Sequence, residues 1–165
     1  MCLRRRLERY ALCAKQIGIH IRPRAGRLLR GFLFEKMCVL SSSRVAVDVF
    51  DEAIRPERLR ACLVEPNQHL IVALREGEVV GQIRAVVHKH PDTADQLYID
   101  NLGVTPALQR QGIASELLAA MLELGRASGC EEAWLATEET NQQARGFYES
   151  FGVQSEHAMV YFFKL

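Results

Sequence analysis

A chain of 165 residues that is 48% hydrophobic and 25% charged suits one globular domain with enough mass to bury a real core. No apolar run approaches the roughly 20 residues needed to cross a bilayer, which argues against a transmembrane helix. The formal charge of +1 hides an asymmetry: residues 1–36 carry ten Lys/Arg and two acids, net +8, whereas residues 37–165 carry eleven and eighteen, net −7. A field of one sign concentrates the opposite ion, so the acidic body favours cationic small molecules and discourages nucleic acid.

The five cysteines (Cys2, Cys13, Cys38, Cys62, Cys130) are odd in number, scattered and never in a CxxC pair. They read as small buried hydrophobes of a reducing, cytoplasmic protein, with neither a disulfide framework nor a zinc site. The histidines have no metal-ligand spacing beyond His88-x-His90 in a loop, so no metal is expected.

In chain order, the basic start (Arg4, Arg5, Arg6, Arg9) lacks the apolar core of a secretory signal and the interleaved aromatics of a nucleic-acid platform. Residues 1–16 are therefore read as a solvated extension ahead of a domain over 17–165, with no membrane partner. Residues 17–21 alternate with period two and predict a strand; Leu28, Leu29, Phe32 and Leu33 predict an amphipathic helix. Ser41-Ser42-Ser43 marks a loop. A helix is predicted over 56–63, with Pro56 in its first turn and Pro66 past its end. The apolar run 70–74, the turn Arg75-Glu76-Gly77-Glu78 and the run 79–87 predict a β-hairpin. Another strand is expected over 97–104, ended by Pro106. Ile113, Leu117, Met121 with Ala114, Leu118, Leu122 form a wide helical stripe that stops at Gly129. Residues 133–137 predict a strand with Trp134 in the core. Thr140-x-x-Gln143 predicts a capping box for a helix carrying Ala144, Phe147, Tyr148 and Phe151 and ending at Gly152. Residues 159–163 read as a last strand. The sum is one mixed α/β domain.

Chemistry concentrates in Leu102-Gly103-Val104-Thr105-Pro106-Ala107-Leu108-Gln109-Arg110-Gln111-Gly112-Ile113-Ala114. A strand ends, a short loop follows, and a helix opens with small residues. A helix N-terminus offers unpaired N–H groups and partial positive charge, so a phosphate-bearing ligand fits here, with Arg110 at the rim. A tight turn in which Gly112 only relieves sterics is the alternative. The pattern is neither a Walker loop nor a dinucleotide fingerprint.

It does match the [Q/R]-x-x-G-x-[G/A] pattern of the GNAT superfamily of N-acetyltransferases, which this chain resembles from about residue 70 onward. Asn141-Gln142-Gln143-Ala144-Arg145-Gly146-Phe147-Tyr148-Glu149-Ser150-Phe151-Gly152 is likewise similar to the family's N-x-x-A-x-x-x-Y-x-x-x-G signature. The resemblance implies an α/β (α+β) fold with a mixed sheet of about six or seven strands and about four helices. It also implies acetyl-CoA as co-substrate. Backbone amides of Gln109, Arg110, Gln111, Gly112, Ile113, Ala114 and Ser115 would cradle the pyrophosphate. Leu102, Gly103 and Val104 would run beside the pantetheine arm, and Asn141 would hydrogen-bond it. Tyr148 would be the general acid for the departing thiolate, since a phenol is protonated at neutral pH. Helical packing for Tyr148 and a helix-start role for Asn141 are the alternatives.

The attacking amine must lose a proton, for which a carboxylate serves as general base. Asp100 and Glu138 are the candidates, at the ends of two neighbouring strands. Several family members carry a glutamate where this chain has Ala136, which leaves the base open. The run from Glu78 to Val104 most resembles small aminoglycoside 3-N-acetyltransferases, although Asp100-Asn101 stand where those enzymes tend to place a tyrosine and an aspartate. Asp48, Asp51, Glu52, Asp92 and Asp95 would wall a pocket for a cationic acceptor or else solvate the surface. A protein, peptide or polyamine acetyltransferase and a non-catalytic CoA-binding module remain alternatives, and a homodimer stays open.

Overall fold

A computed structural model describes residues 44–165 in full and the backbone of 33–36. The expected extension over 1–16, the strand over 17–21 and the Ser41–43 loop lie outside the described residues. In chain order the elements are β1 (Leu33–Lys36), β2 (Arg44–Val45), α1 (Pro56–Val64), β3 (Gln68–Arg75), β4 (Glu78–His88), β5 (Gln96–Val104), α2 (Ile113–Ala127), β6 (Glu132–Leu135) and α3 (Gln142–Glu149). The strands form one sheet in the order β1-β3-β4-β5-β6, with β2 parallel to the start of β4. Chain contacts divide it into two compact units, Met1–Trp134 and Leu135–Leu165.

The helix expected through Leu33 does not include that residue. Leu33 opens β1 and pairs with Leu74 of β3. A few residues at helical spacing carry little weight against a ladder with an adjacent apolar strand; Leu28, Leu29 and Phe32 lie outside the described residues.

The β3–β4 hairpin forms as the sequence predicts. Glu76 (φ 51°) and Gly77 (φ 79°) both sit in the left-handed region, the geometry of a two-residue type I′ turn whose twist matches the flanking strands. Alternation then sorts the side chains. On one face, Ile83, Ala85 and Val87 with Leu97 and Ile99 meet the buried stripe Ile113, Leu117, Met121 and Leu124 of α2. On the other face, Leu70 and Val72 of β3 join Val49 and are covered in part by Leu59 and Leu63 of α1. Helix α2 ends at Gly129 (φ 86°), where Cys130 N–H bonds Gly125 C=O at 3.0 Å and Gly129 N–H bonds Arg126 C=O at 3.1 Å. That is a Schellman stop, as the glycine predicts.

Two expectations for β6 change. It ends at Leu135, and Trp134 is 42% exposed instead of buried in the core. Its ring stacks on Tyr98 (centroids 4.4 Å apart) and meets His88 edge-on at 6.1 Å. This face of β4 and β5 is not the one packed under α2, so an aromatic here finds aromatic neighbours without full burial.

In the second unit α3 starts one residue later than the Thr140 capping box predicts. Asn141 is the N-cap, and its Oδ1 accepts from Ala144 N–H at 3.0 Å. Phe147 packs edge-on against Tyr148 and Phe151. The expected strand over 159–163 is not formed, and Val160, Tyr161, Phe162 and Phe163 are strongly exposed, Phe162 at 92%. An apolar run has strand propensity only where a ladder and a packed face receive it, and this segment has neither.

Candidate functional site

The candidate phosphate loop is built by the exit of β5. A single 3₁₀ turn, Pro106–Leu108, carries the chain off the sheet. The chain then reverses through Arg110 (φ 58°) and Gly112 (φ 86°), both left-handed, and α2 begins at Ile113. For Arg110 this backbone carries strain of about 1 kcal/mol, a cost tolerated where a turn must be held in one shape. Gln109 turns back, its Nε2 donating to the carbonyl of Val104 at 3.1 Å, which ties the loop to the last residue of β5.

Gly112 is the N-cap of α2 and supplies no side chain. The first intrahelical bond runs from Glu116 N–H to Gly112 C=O at 3.1 Å. The amides of Ile113, Ala114 and Ser115 precede it without a side-chain cap and point out of a fifteen-residue helix. Nothing lies within 4 Å of where a Cβ on Gly112 would be. Free amides at the positive end of the helix dipole, open space and the exposed Arg110 together fit a pyrophosphate.

The same unit brings Asp100 and residues 102–104 to this loop's strand. β5 carries one extra residue against β4: Arg84 pairs with Asn101 and Ala85 with Ile99, leaving Asp100 as a bulge. Asp100 and Asn101 therefore both project from the face opposite α2. Asp100 forms an ion pair with Arg84. Asn101 accepts from Gln82 Nε2 and donates from Nδ2 to Asp51 at 3.1 Å. The half-buried Cys62 thiol of α1 is pushed above its usual 9.0, mainly by burial, with Arg84 pulling it down and Asp100 pushing it up. Of the other acids expected to wall a pocket, Asp95 is engaged by Lys89, which holds its carboxyl below the usual range.

Glu138, Asn141 and Tyr148 belong to the second unit. Glu138 is exposed, and its carbonyl accepts from Asn141 N–H at 3.0 Å. With Oδ1 of Asn141 engaged as a cap, the donors of its side chain lie on Nδ2. Tyr148 is half-buried, and burial pushes its phenol above the ordinary 10.0, so it stays protonated at neutral pH.

The arrangement of a bulged β5, a left-handed turn and an uncapped helix is accompanied by a match to a known family. The profile of the Acetyltransferase (GNAT) family covers residues 38–153, and the chain belongs to that family. It is 38% identical over 98 residues to an aminoalkylphosphonate N-acetyltransferase of Salmonella typhimurium, covering 59% of this chain and 64% of that protein. It is 33% identical over 81 residues to N-alpha-acetyltransferase 30 of Schizosaccharomyces pombe, covering 49% of this chain and 54% of that one. The chain thus spans less than two thirds of the length of these relatives. Among solved structures, an aminoglycoside acetyltransferase from an uncultured soil metagenomic sample, in complex with trehalose, superposes with a TM-score of 0.69. That match has 22% identity and covers 84% of this chain and 98% of that one, a likeness of fold.

The Arg84–Asp100 pair and the Asp51 link to Asn101 went unread in the sequence. Their signal is the polar doublet Asp100-Asn101, which breaks the alternation of Leu97-Tyr98-Ile99.

Proposed function

We propose that this chain is an acetyl-CoA-dependent N-acetyltransferase acting on a primary amine of a small cationic acceptor, with an aminoglycoside as the leading class. The observation that carries the reading is the turn at Arg110 and Gly112, which delivers the uncapped amides of α2 to the end of β5. Those amides and Arg110 would hold the pyrophosphate, residues 102–104 and Asn141 the pantetheine arm. Acetyl-CoA supplies the acetyl group as an activated thioester. The chain's own part is to bind, to move protons and to orient. Tyr148 holds a proton for the leaving sulfur, and its burial keeps that proton in place. A carboxylate takes the proton of the amine, with Asp100 first and Glu138 second. The ion pair with Arg84 competes for Asp100, so its use as base requires Arg84 to yield. The excess of acids over residues 37–165 supports a cationic acceptor.

The test is thiol release from acetyl-CoA with a panel of aminoglycosides, polyamines, peptides and aminoalkylphosphonates, joined to protection of bacteria from aminoglycosides. Turnover confined to peptides would replace the small-molecule reading. Tight coenzyme A binding with no turnover on any amine would identify a non-catalytic module. The 38% identity to the aminoalkylphosphonate enzyme favours a second reading in which the acceptor bears a phosphonate beside its amine; preferential turnover of that arm decides for it. Asp100→Asn should remove the rising limb of the pH–rate profile, and an unchanged profile transfers the role to Glu138.

A further inference from the structure

Asp51 lies on the segment between β2 and α1, two residues after Val49, which is 1% exposed. That segment is seated tightly on β5. A Cβ on Gly103 would stand 2.5 Å from the Val49 carbonyl oxygen, so only glycine permits the approach. Asp51 is thereby held beside the strand whose last residues are expected to run along the pantetheine arm. Asn101, its partner, immediately precedes Leu102.

The hydrogen bonds around Asn101 have a fixed direction. An ionised carboxylate only accepts, so Asn101 must turn its Nδ2 toward Asp51. Its Oδ1 then faces Gln82, which must present Nε2. The remaining oxygen of Gln82, on a side chain 1% exposed, is left buried with no hydrogen-bond partner among the described residues. Such an orphan is unfavourable, and an apolar residue at position 82 would avoid it. The polar chain Gln82–Asn101–Asp51 therefore trades stability for a carboxylate held in one place.

Ion pairing separates Asp51 from Asp100 and Asp95 but not from Asp48 and Glu52 of its own segment; what sets Asp51 apart is the hydrogen bond it accepts from Asn101. Asp100 is neutralised by Arg84 and Asp95 by Lys89. Among the described residues no lysine or arginine pairs with Asp51. We infer that Asp51 is the anchor for the ammonium group of the acceptor, with Asn101 as the positioning residue that fixes its carboxylate. This rests on the amine-acetyltransferase reading above and adds the residue that selects for a cationic acceptor.

The experiment compares wild type, Asp51→Asn, Asp51→Glu and Asn101→Leu in steady-state kinetics with the best aminoglycoside or polyamine. Calorimetric binding of that acceptor to the coenzyme-A-bound protein, coenzyme A affinity and Tm accompany the kinetics. Loss of a charge-assisted contact predicts an acceptor KM and Kd raised about 10- to 100-fold in Asp51→Asn, with kcat and coenzyme A affinity little changed. Asp51→Glu should recover part of the loss, and Asn101→Leu should raise KM less than Asp51→Asn. Acceptor KM of the wild type should rise with ionic strength, a readout that needs no variant to fold. Unchanged acceptor binding in Asp51→Asn overturns the inference while leaving the enzyme reading intact. A fall in kcat at constant KM also overturns it, because the carboxylate would then act on the chemistry and not as an anchor. A wild type that acetylates no amine removes the enzyme reading, and this inference falls with it.

Discussion

Gly112 allows backbone geometry and electrostatics at the candidate phosphate loop to be measured separately. Its φ of 86° penalises any side chain, yet nothing lies within 4 Å of a Cβ there. Gly112→Ala should therefore cost only the left-handed strain, about 1 kcal/mol, lowering Tm by about 2–4 °C. Gly112→Glu carries the same strain but places a carboxylate at the positive end of α2, recovering about 0.3–1 kcal/mol. It should be no less stable than the alanine variant. Toward a pyrophosphate the order reverses. A unit charge about 5 Å from the carboxylate, at an effective dielectric of about 20, is opposed by about 3 kcal/mol, or more than 100-fold in affinity. Calorimetry of coenzyme A with both variants, with thermal melts, tests this: alanine should bind within a few-fold of wild type and glutamate more than 100-fold weaker. Salt at about 1 M should narrow the gap. Equal coenzyme A affinity for the two variants would refute the placement of the pyrophosphate at this helix.

Tyr148→Phe should lower kcat by about 100-fold or more with a smaller change in acceptor KM, as expected for a lost general acid. Burial raises the phenol in the folded protein, so unfolded chains ionise first and Tyr148 erodes stability as pH rises above 10.0 toward the folded value; difference absorbance against Tyr148→Phe should place its ionisation above pH 10. Asn141→Ala should remove a helix cap worth about 1 kcal/mol. Asn141→Asp restores the cap but not the amide donor, so stability recovering without coenzyme A affinity marks a ligand contact. Gly103→Ala should cost about 1–3 kcal/mol by pushing on the Val49 carbonyl. Gly146→Ala in α3, where a Cβ meets nothing within 4 Å, should stabilise by about 0.5–1 kcal/mol in a denaturant melt.

Local signals read well where one short segment decides the outcome. The Glu76-Gly77 turn fixed the hairpin, Pro56 and Gly129 marked helix ends, and the stripe from Ile113 to Leu124 faces the sheet as its spacing requires. The turn from β5 into α2 was legible because a glycine stands between a strand and a helix. What failed depended on distant partners. Leu33 went to a strand because β3 lay beside it, and Trp134 sits on a face where aromatic neighbours take the place of a core. Residues 159–163 have strand-like composition but form no ladder among the described residues. Asp51 and Asn101 are 50 positions apart, and no periodicity in either segment announces that they touch.

The bulge at Asp100 sets the phase of everything after it on β5. With the extra residue, Leu102 and Val104 share the α2 face with Leu97 and Ile99, while Asn101 and Gly103 fall on the other. Deleting Asp100 would leave that parity in place, because the residues on either side of it already keep the register of a regular ladder, Ile99 with Ala85 and Asn101 with Arg84. Asn101 would keep its face and Gly103 its place against Val49, while the strand would lose the partner of Arg84 and the bend that a bulge imposes. A single-codon deletion at Asp100 is thus the loss of one ion pair and one bend, and not of the strand's register.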